Sequence, residues 1–148
     1  MPTTQDLLAR KGSHVLSICP SATVLEATRL MNQHKVGSLL VTDPADNDRM
    51  VGIFTERDVL RRVVAEQRDP AETPVGEVMS GQVICCRPQT DLEDAARIMR
   101  DRRIRHLPVC DDDGRLLGMI SIGDLNAFDL SDKEMTIHFL SDYIYGRV

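Results

Sequence analysis

Apolar residues along this chain fall into two patterns that alternate. Short unbroken apolar runs, "VLSI" at 15–18, "SLLVTD" at 38–43 and "MVGIF" at 50–54, are bounded by Pro, Gly or acidic residues, which predicts buried strands. "VICC" at 83–86, "HLPVCD" at 106–111 and "LLGMIS" at 116–121 predict a second set of strands. Helical spacing separates them. Leu92, Ala95, Ala96 and Met99 fall at i, i+3, i+4 and i+7, one apolar helix face. Thr23-x-x-Glu26 predicts a capping box at the start of one helix, and Asp91 predicts the cap of its counterpart. "TERDVLRRVVAE" from Thr55 and "SIGDLNAF" from Ser121 open two closing helices. "EQRDPAETP" at 66–74 reads as a polar linker, and "VGEVM" at 75–79 as a short lead-in helix. At the end, Ser131-x-x-Glu134, Gly146 and the row Ile137, Leu140 and Ile144, with Tyr143 beside it, predict an amphipathic helix over 131–148. Its apolar face covers the domain or binds a second subunit.

The two sets of elements are one set written twice. Val15 aligns with Val83, an offset of 68, and Pro20, Ala27, Arg29, Met31, Leu39, Val41 and Asp43 then meet Pro88, Ala95, Arg97, Met99, Leu107, Val109 and Asp111. The first copy has two extra residues in the polar turn "DPADNDRM", after which Gly52 meets Gly118 and Asp58 meets Asp124, an offset of 66. Each copy reads strand, helix, strand, strand, helix. Two copies are too few for a solenoid and suit a pseudo-symmetric pair.

Composition narrows the function. Of 148 residues, 42% are hydrophobic and only 3% aromatic, with no Trp, so Leu, Ile, Val, Met and Ala build the core. The formal charge of −5 and the lack of rings argue against a nucleic-acid or anionic-membrane partner. No apolar run approaches the roughly 18 residues that span a bilayer, and the N-terminus has no apolar signal region; both point to the cytoplasm. Cys19, Cys85, Cys86 and Cys110 form no C-x-x-C pair and read as reduced, mostly packed thiols, with the neighbours Cys85 and Cys86 on opposite faces of a strand. His14, His34 and His138 lack metal-ligand spacing, so no metal is expected. No phosphate loop, dinucleotide fingerprint or nucleophile–base pair is evident, which argues against an enzyme.

The phrase "GIFTERD" at 52–58 returns as "GMISIGD" at 118–124: Gly, two apolar residues, a hydroxyl residue, two variable residues, Asp. One reading is local. A hydroxyl N-cap with an acidic residue three positions on is a helix start. The other is chemical. A helix start with a hydroxyl attracts phosphate, and an ionised Asp one turn in accepts ribose hydroxyls. Capping alone does not call for the glycine three residues earlier, which permits close approach of a neighbouring strand or a ligand.

The repeat, the "HLPV" strand and the doubled G-h-h-[ST]-x-x-D together resemble the cystathionine-beta-synthase (CBS) domain, present twice over about residues 10–130. The chain is similar to small stand-alone bacterial proteins built from one such pair, a Bateman module. The resemblance implies an α/β (α+β) fold of two β-α-β-β-α domains, residues 10–70 and 76–130, packed sheet to sheet, with residues 131–148 as a helical tail. It implies a non-catalytic regulatory module binding AMP, ADP, ATP, NAD(H) or S-adenosylmethionine in clefts between the domains. It also implies a homodimer and an unidentified regulated protein; a purely structural dimerisation module is the alternative. The residues that match the family's ligand positions are Thr55, Arg57 and Asp58, Ser121 and Asp124, the turns with Gly37 and Ser38 and with Arg103, Arg105 and His106, and the first-strand residues Ser17, Ile18, Cys85 and Cys86. On the family's pattern each helix start faces the other domain's turn. The Asp58 cleft then gains the arginines of the basic turn, and the Asp124 cleft gains only Lys35 beside Gly37 and Ser38. Arg binds phosphate with a planar fork, so the Asp58 cleft is expected to hold the tighter or more phosphorylated ligand.

Overall fold

Threonine caps start the chain and each of the first copy's two helices. In the computed structural model, which describes residues 1–81 and 83–129, Thr3 closes a capping box with Asp6 on helix α1 (Thr4–Lys11). Strand β1 (Ser17–Ile18) leads to α2 (Val24–His34), where the Thr23 hydroxyl accepts the Glu26 N–H at 3.1 Å. Strands β2 (Ser38–Asp43) and β3 (Arg49–Thr55) form an antiparallel pair, with an irregularity in register between Val41 and Thr42. The single α-helical turn α3 (Glu56–Asp58) then runs into a π-helical stretch, Val59–Val64, where the sequence predicts an ordinary closing helix. After α4 (Val75–Val78) come α5 (Leu92–Arg102), β4 (His106–Cys110), β5 (Leu116–Ser121) and α6 (Ile122–Asp129). Mixed helix and strand in two related copies is the expected fold class; β-α-β-β-α is complete in the first copy, and the second is α-β-β-α behind a single bridge. The tail helix predicted for 131–148 lies outside the described residues.

The chain divides into two units. The Asp58 half comprises Leu16–Val83 with Gly114–Leu116, and the Asp124 half comprises Met1–Val15, Ile84–Asp113 and the chain from Leu117. Each has its own core. Val24, Ala27, Met31, Leu39, Val41, Phe54 and Val63 pack with Val75 and Val78 in the first. Leu92, Ala95, Met99, Leu107, Val109, Ile120 and Leu125 pack with Leu7 and Cys86 in the second. The apolar helix face predicted over 92–99 is therefore the one that is buried, with Ala96 packed at its edge.

The lead-in segments are exchanged. Helix α1 precedes the first copy but packs in the Asp124 half, and α4 precedes the second copy but packs in the Asp58 half. The hydrogen bonds repeat from one to the other. Leu92 N–H donates to Pro2 and Thr4 N–H to Thr90, at 3.0 and 2.8 Å. In the Asp58 half Val24 N–H donates to Thr73 and Val75 N–H to Ala22, at 2.9 and 2.8 Å.

Further expectations change. Of the capping box predicted at Thr23 and Glu26, the bond formed is the Thr23 hydroxyl accepting the Glu26 N–H. Asp91 occupies the N-cap position of α5 but its side chain makes no cap bond. The strand predicted at "VICC" reduces to one parallel bridge, Cys86 to Val109. Cys86 N–H donates to Pro108 O and Cys110 N–H to Cys86 O, both at 2.9 Å. The next bond of that ladder would be given by the N–H of residue 108, and proline has none. The matching residue of the first copy is Leu40, and there β1 pairs in parallel over Ser17–Leu40 and Ile18–Val41.

Candidate functional site

Each copy of the repeated phrase is a strand that ends on its hydroxyl residue and turns directly into a helix. Thr55 is the last residue of β3 and the N-cap of α3. Its hydroxyl accepts the Asp58 N–H at 3.2 Å, while Asp58 Oδ2 accepts the Thr55 N–H at 3.0 Å. The second copy repeats this. Ser121 Oγ accepts the Asp124 N–H at 3.0 Å, and Asp124 Oδ2 accepts the Ser121 N–H at 2.8 Å. The local reading is thus realised twice, and one carboxylate oxygen in each copy is committed to the backbone.

The glycines are explained by neighbouring chain. A Cβ on Gly52 would meet Met79 Sδ at 2.6 Å and the Ser80 carbonyl oxygen at 2.7 Å. Ile53 and Ser80 exchange both backbone hydrogen bonds at 2.9 Å there. On Gly118 a Cβ would meet Leu8 Cδ2 at 2.7 Å. In each half the segment laid against the glycine is the exchanged lead-in.

Around the carboxylates the halves differ. Asp58 is 6% exposed, and its other oxygen, Oδ1, has the Nε of Arg62 at 3.8 Å. Arg62 also donates to the carbonyls of Val78 and Met79 at 3.2 and 3.0 Å, which ties it to α4. Asp124 meets a closer cation: Lys11 Nζ lies 2.6 Å from Oδ2 and 2.7 Å from the Met119 carbonyl. Burial pushes the Asp124 carboxyl up, but hydrogen bonds from Lys11 and Ser121 outweigh it and hold the pKa below its ordinary value. His106 is held below its ordinary value, by desolvation first; Asp124 pulls it up, and Lys11 and Arg105 push it down.

The turns lie beside the helix start of their own half. Ser38 pairs with Thr55, and Glu56 N–H donates to the Gly37 carbonyl at 3.0 Å. Ile122 N–H donates to the Arg105 carbonyl at 3.0 Å. The structure therefore brings Thr55, Asp58, Gly37 and Ser38 together in one half, and Ser121, Asp124, Arg105 and His106 in the other. Pairing of each helix start with the opposite turn stays an expectation of the resemblance. Both turns are entered through a left-handed residue, Lys35 and Arg103, each with φ 56° and ψ 43°. Arg57, Arg103 and Arg105 are exposed, Ser17, Ile18 and Cys85 are half-buried, and Cys86 is turned into the core.

The surfaces differ too. Beside α3, an open groove of about 800 Å³ is lined by Arg29, Lys35, Val36, Gly37, Glu56 and Leu60 among others. Beside Asp124 the recess is about 240 Å³, and Lys11, Arg10, Leu7 and Phe128 share its wall. Arg10 stacks over the Phe128 ring at 4.4 Å. Sequence reasoning missed Lys11 and Arg62. Arg62 stands four residues after Asp58, a helical pair that spacing can reveal. Lys11 is 113 residues from Asp124, and only the exchange of α1 brings it there.

Among the described residues no group of three or more His, Cys, Asp or Glu is placed to hold a metal. No described helix is long and apolar enough to cross a membrane.

The CBS-domain family pattern matches residues 6–65 and 75–130. The mitochondrial CBS domain-containing protein CBSX3 of Arabidopsis thaliana is 35% identical over 150 residues, covering 97% of this chain and 72% of that protein. The solved structure of a protein with CBS domains from Burkholderia ambifaria MC40-6 superposes with a TM-score of 0.71 at 36% identity, covering 88% of this chain and 96% of that one. The CBS domain protein PAE2072 from Pyrobaculum aerophilum, solved in complex with AMP, superposes with a TM-score of 0.67 at 31% identity, covering 83% of this chain and 89% of that one.

Proposed function

We propose that this chain, which belongs to the CBS-domain family and carries two CBS domains, is a non-catalytic regulatory module that binds adenosine-containing nucleotides at its two S/T-x-x-D helix starts. The observation that carries this is the same hydroxyl–carboxylate pair held in the same geometry in both halves, with a cation at each carboxylate. The carboxylates accept ribose hydroxyls, and Arg and Lys side chains nearby meet phosphate. The AMP complex of the Pyrobaculum relative supports the ligand class. AMP, ADP, ATP, NAD(H) and S-adenosylmethionine share the adenosine that these contacts would recognise. Occupancy favours the conformation that binds ligand better, and a regulated partner reads that conformation. No metal takes part in this reading.

A thermal-shift screen of those five compounds is the first test. A ligand at a hundredfold excess over its Kd adds roughly 2.7 kcal/mol to stability. If none of them shifts the melting temperature, the reading is wrong. Asp58→Ala then weakens the best ligand about ten- to a hundredfold by calorimetric titration, the worth of a charge-assisted hydrogen bond. Pure capping predicts a loss of about 1 kcal/mol in stability with unchanged affinity.

A second reading, a dimerisation module that needs no ligand, is favoured by the surface of the π-helical stretch. Leu60 and Val64 are 64% and 60% exposed, and Val36 nearby is 38% exposed. A second copy covering them would shield an apolar patch. Leu60→Glu then lowers the mass in solution, and an unchanged mass removes this reading.

A further inference from the structure

The two carboxylates of the repeated motif are not equally available, and the reason is a residue outside both motifs. In the Asp124 half, Oδ2 already accepts the Ser121 N–H. The Lys11 ammonium sits on that same oxygen at 2.6 Å and is anchored a second time by the Met119 carbonyl at 2.7 Å. Lys11 is positioned by its whole helix. Leu7 is buried in the core of this half, Leu8 fills the space above Gly118, and Arg10 stacks on Phe128. Lys11 is the last residue of α1, and Gly12 follows with φ 92°, so the helix ends where the ammonium is delivered. The pair is a third to a quarter exposed, against 8% for the Asp58 side chain, so solvent and a displacing group reach the Lys11–Asp124 contact directly.

Among the described residues the Asp58 half has no such arrangement. Its lead-in helix α4 is only four residues long, Val75–Val78, and brings no basic side chain to Asp58. The cation there, Arg62, comes from the motif's own helix, stands 3.8 Å from the other oxygen, and spends its donors on the carbonyls of α4.

We infer that Lys11 is a built-in competitor for the ribose position at Asp124, so that the Asp124 site binds adenosine compounds only after its ammonium is displaced, while the Asp58 site has no such block. This rests on the adenosine reading above and adds a specificity-determining residue to it. The ammonium takes the remaining acceptor site of Oδ2, so a ribose diol could bond only Oδ1, and it neutralises the charge that would strengthen that bond. A partly exposed ion pair is weak, so the block is reversible.

Uncharged adenosine is the probe, because it carries the ribose without the phosphate that a lysine could also attract. The full chain is titrated calorimetrically as wild type, Lys11→Met and Lys11→Arg, each also in an Asp58→Ala background that isolates the Asp124 site. The expected result is that Lys11→Met tightens adenosine binding at the Asp124 site roughly fivefold or more, while Lys11→Arg stays near wild type. In the chain with Asp58 intact, Lys11→Met makes a second binding event visible below the wild-type concentration. Unchanged or weaker adenosine binding in Lys11→Met, with the Asp58 site still binding, overturns the competitor role and leaves the adenosine reading standing. If neither adenosine nor any of the five adenosine compounds binds any variant, the adenosine reading fails and the competitor role falls with it.

Discussion

The two halves carry the same motif in the same hydrogen-bond geometry, yet they differ in almost everything that surrounds it. In the Asp58 half the first strand pairs over two residues, the glycine is closed by the Met79 side chain and the Ser80 backbone together, and the cation comes from four residues along the same helix. In the Asp124 half the first strand is a single bridge, the glycine is closed by leucine methyls, and the cation comes from the start of the chain. Repeated sequence dictated repeated local structure. The differences arise where a side chain from outside the repeat reaches in, where matched positions carry different residues, as Arg62 and Phe128 do, or where one residue of the repeat is a proline.

That comparison is most severely tested at the strand. If Pro108 ends the ladder in one half because it lacks an N–H, then Leu40→Pro disrupts the other. Leu40 is 1% exposed in the central strand. The loss is expected at roughly 3–5 kcal/mol, combining a lost buried leucine with unpaired backbone. Urea unfolding measures it, and a loss below about 1 kcal/mol means proline is not the cause.

The glycines come next. A methyl at Gly52 meets the Ser80 carbonyl, and backbone cannot move cheaply, whereas a methyl at Gly118 meets the end of Leu8, a flexible side chain. Gly52→Ala is expected to cost about 1–3 kcal/mol, and Gly118→Ala less than about 1. Equal melting temperatures for the two variants would remove the distinction between backbone and side-chain closure.

A smaller effect lies in the pH dependence of the Lys11–Asp124 pair. It is partly exposed, so Lys11→Met is expected to lose only about 0.2–1 kcal/mol at neutral pH. Asp124 is held below its ordinary pKa in the folded protein. Its contribution is therefore complete above that ordinary value and disappears as pH falls through the lower folded value. The stability gap between wild type and Lys11→Met should close in acid. His106 faces the same pair with Arg105, and it is also depressed, so it too removes stability as the solution is acidified below its ordinary value. His106→Gln in both backgrounds separates the two contributions. A gap that persists undiminished in strong acid means the pair is not what Lys11 contributes.

The smallest effect leaves stability untouched and reads only reactivity. Cys19, in the Asp58 half, has its thiol pKa lowered, chiefly by a hydrogen bond with Ser21. In the Asp124 half, burial pushes Cys86 up to about 11 and Cys110 up to about 12. The thiolate is the reactive form. Iodoacetamide labelling followed by mass spectrometry should modify Cys19 well before Cys86 and Cys110, and early labelling of either buried thiol would contradict the packing of that half.

Much of this protein follows from local sequence. Strand runs such as "SLLVTD", the apolar face through Leu92, Ala95 and Met99, and the hydroxyl–Asp caps are set by periodicity and by hydrogen bonds spanning three residues, so the residues themselves carry them. The duplication and the order of elements from the first strand onward were legible for the same reason, whereas helix α1 went unpredicted although Thr3-x-x-Asp6 caps it. The single bridge at Cys86 was legible in part: Pro108 stands in the sequence, but its effect appears only once it is known which strand lies beside it. The lead-in exchange was not legible, because nothing in "TQDLLARK" or "VGEV" says which copy's core will receive them. Burial against a distant partner decides that. With the exchange undecided, the role of the two glycines and the arrival of Lys11 at Asp124 were undecidable as well. The sequence by itself determined which groups each helix start would present. Only tertiary packing decided which of those groups already has a partner, since a contact between residues 11 and 124 is set by the docking of a whole helix and leaves no periodic trace in the chain.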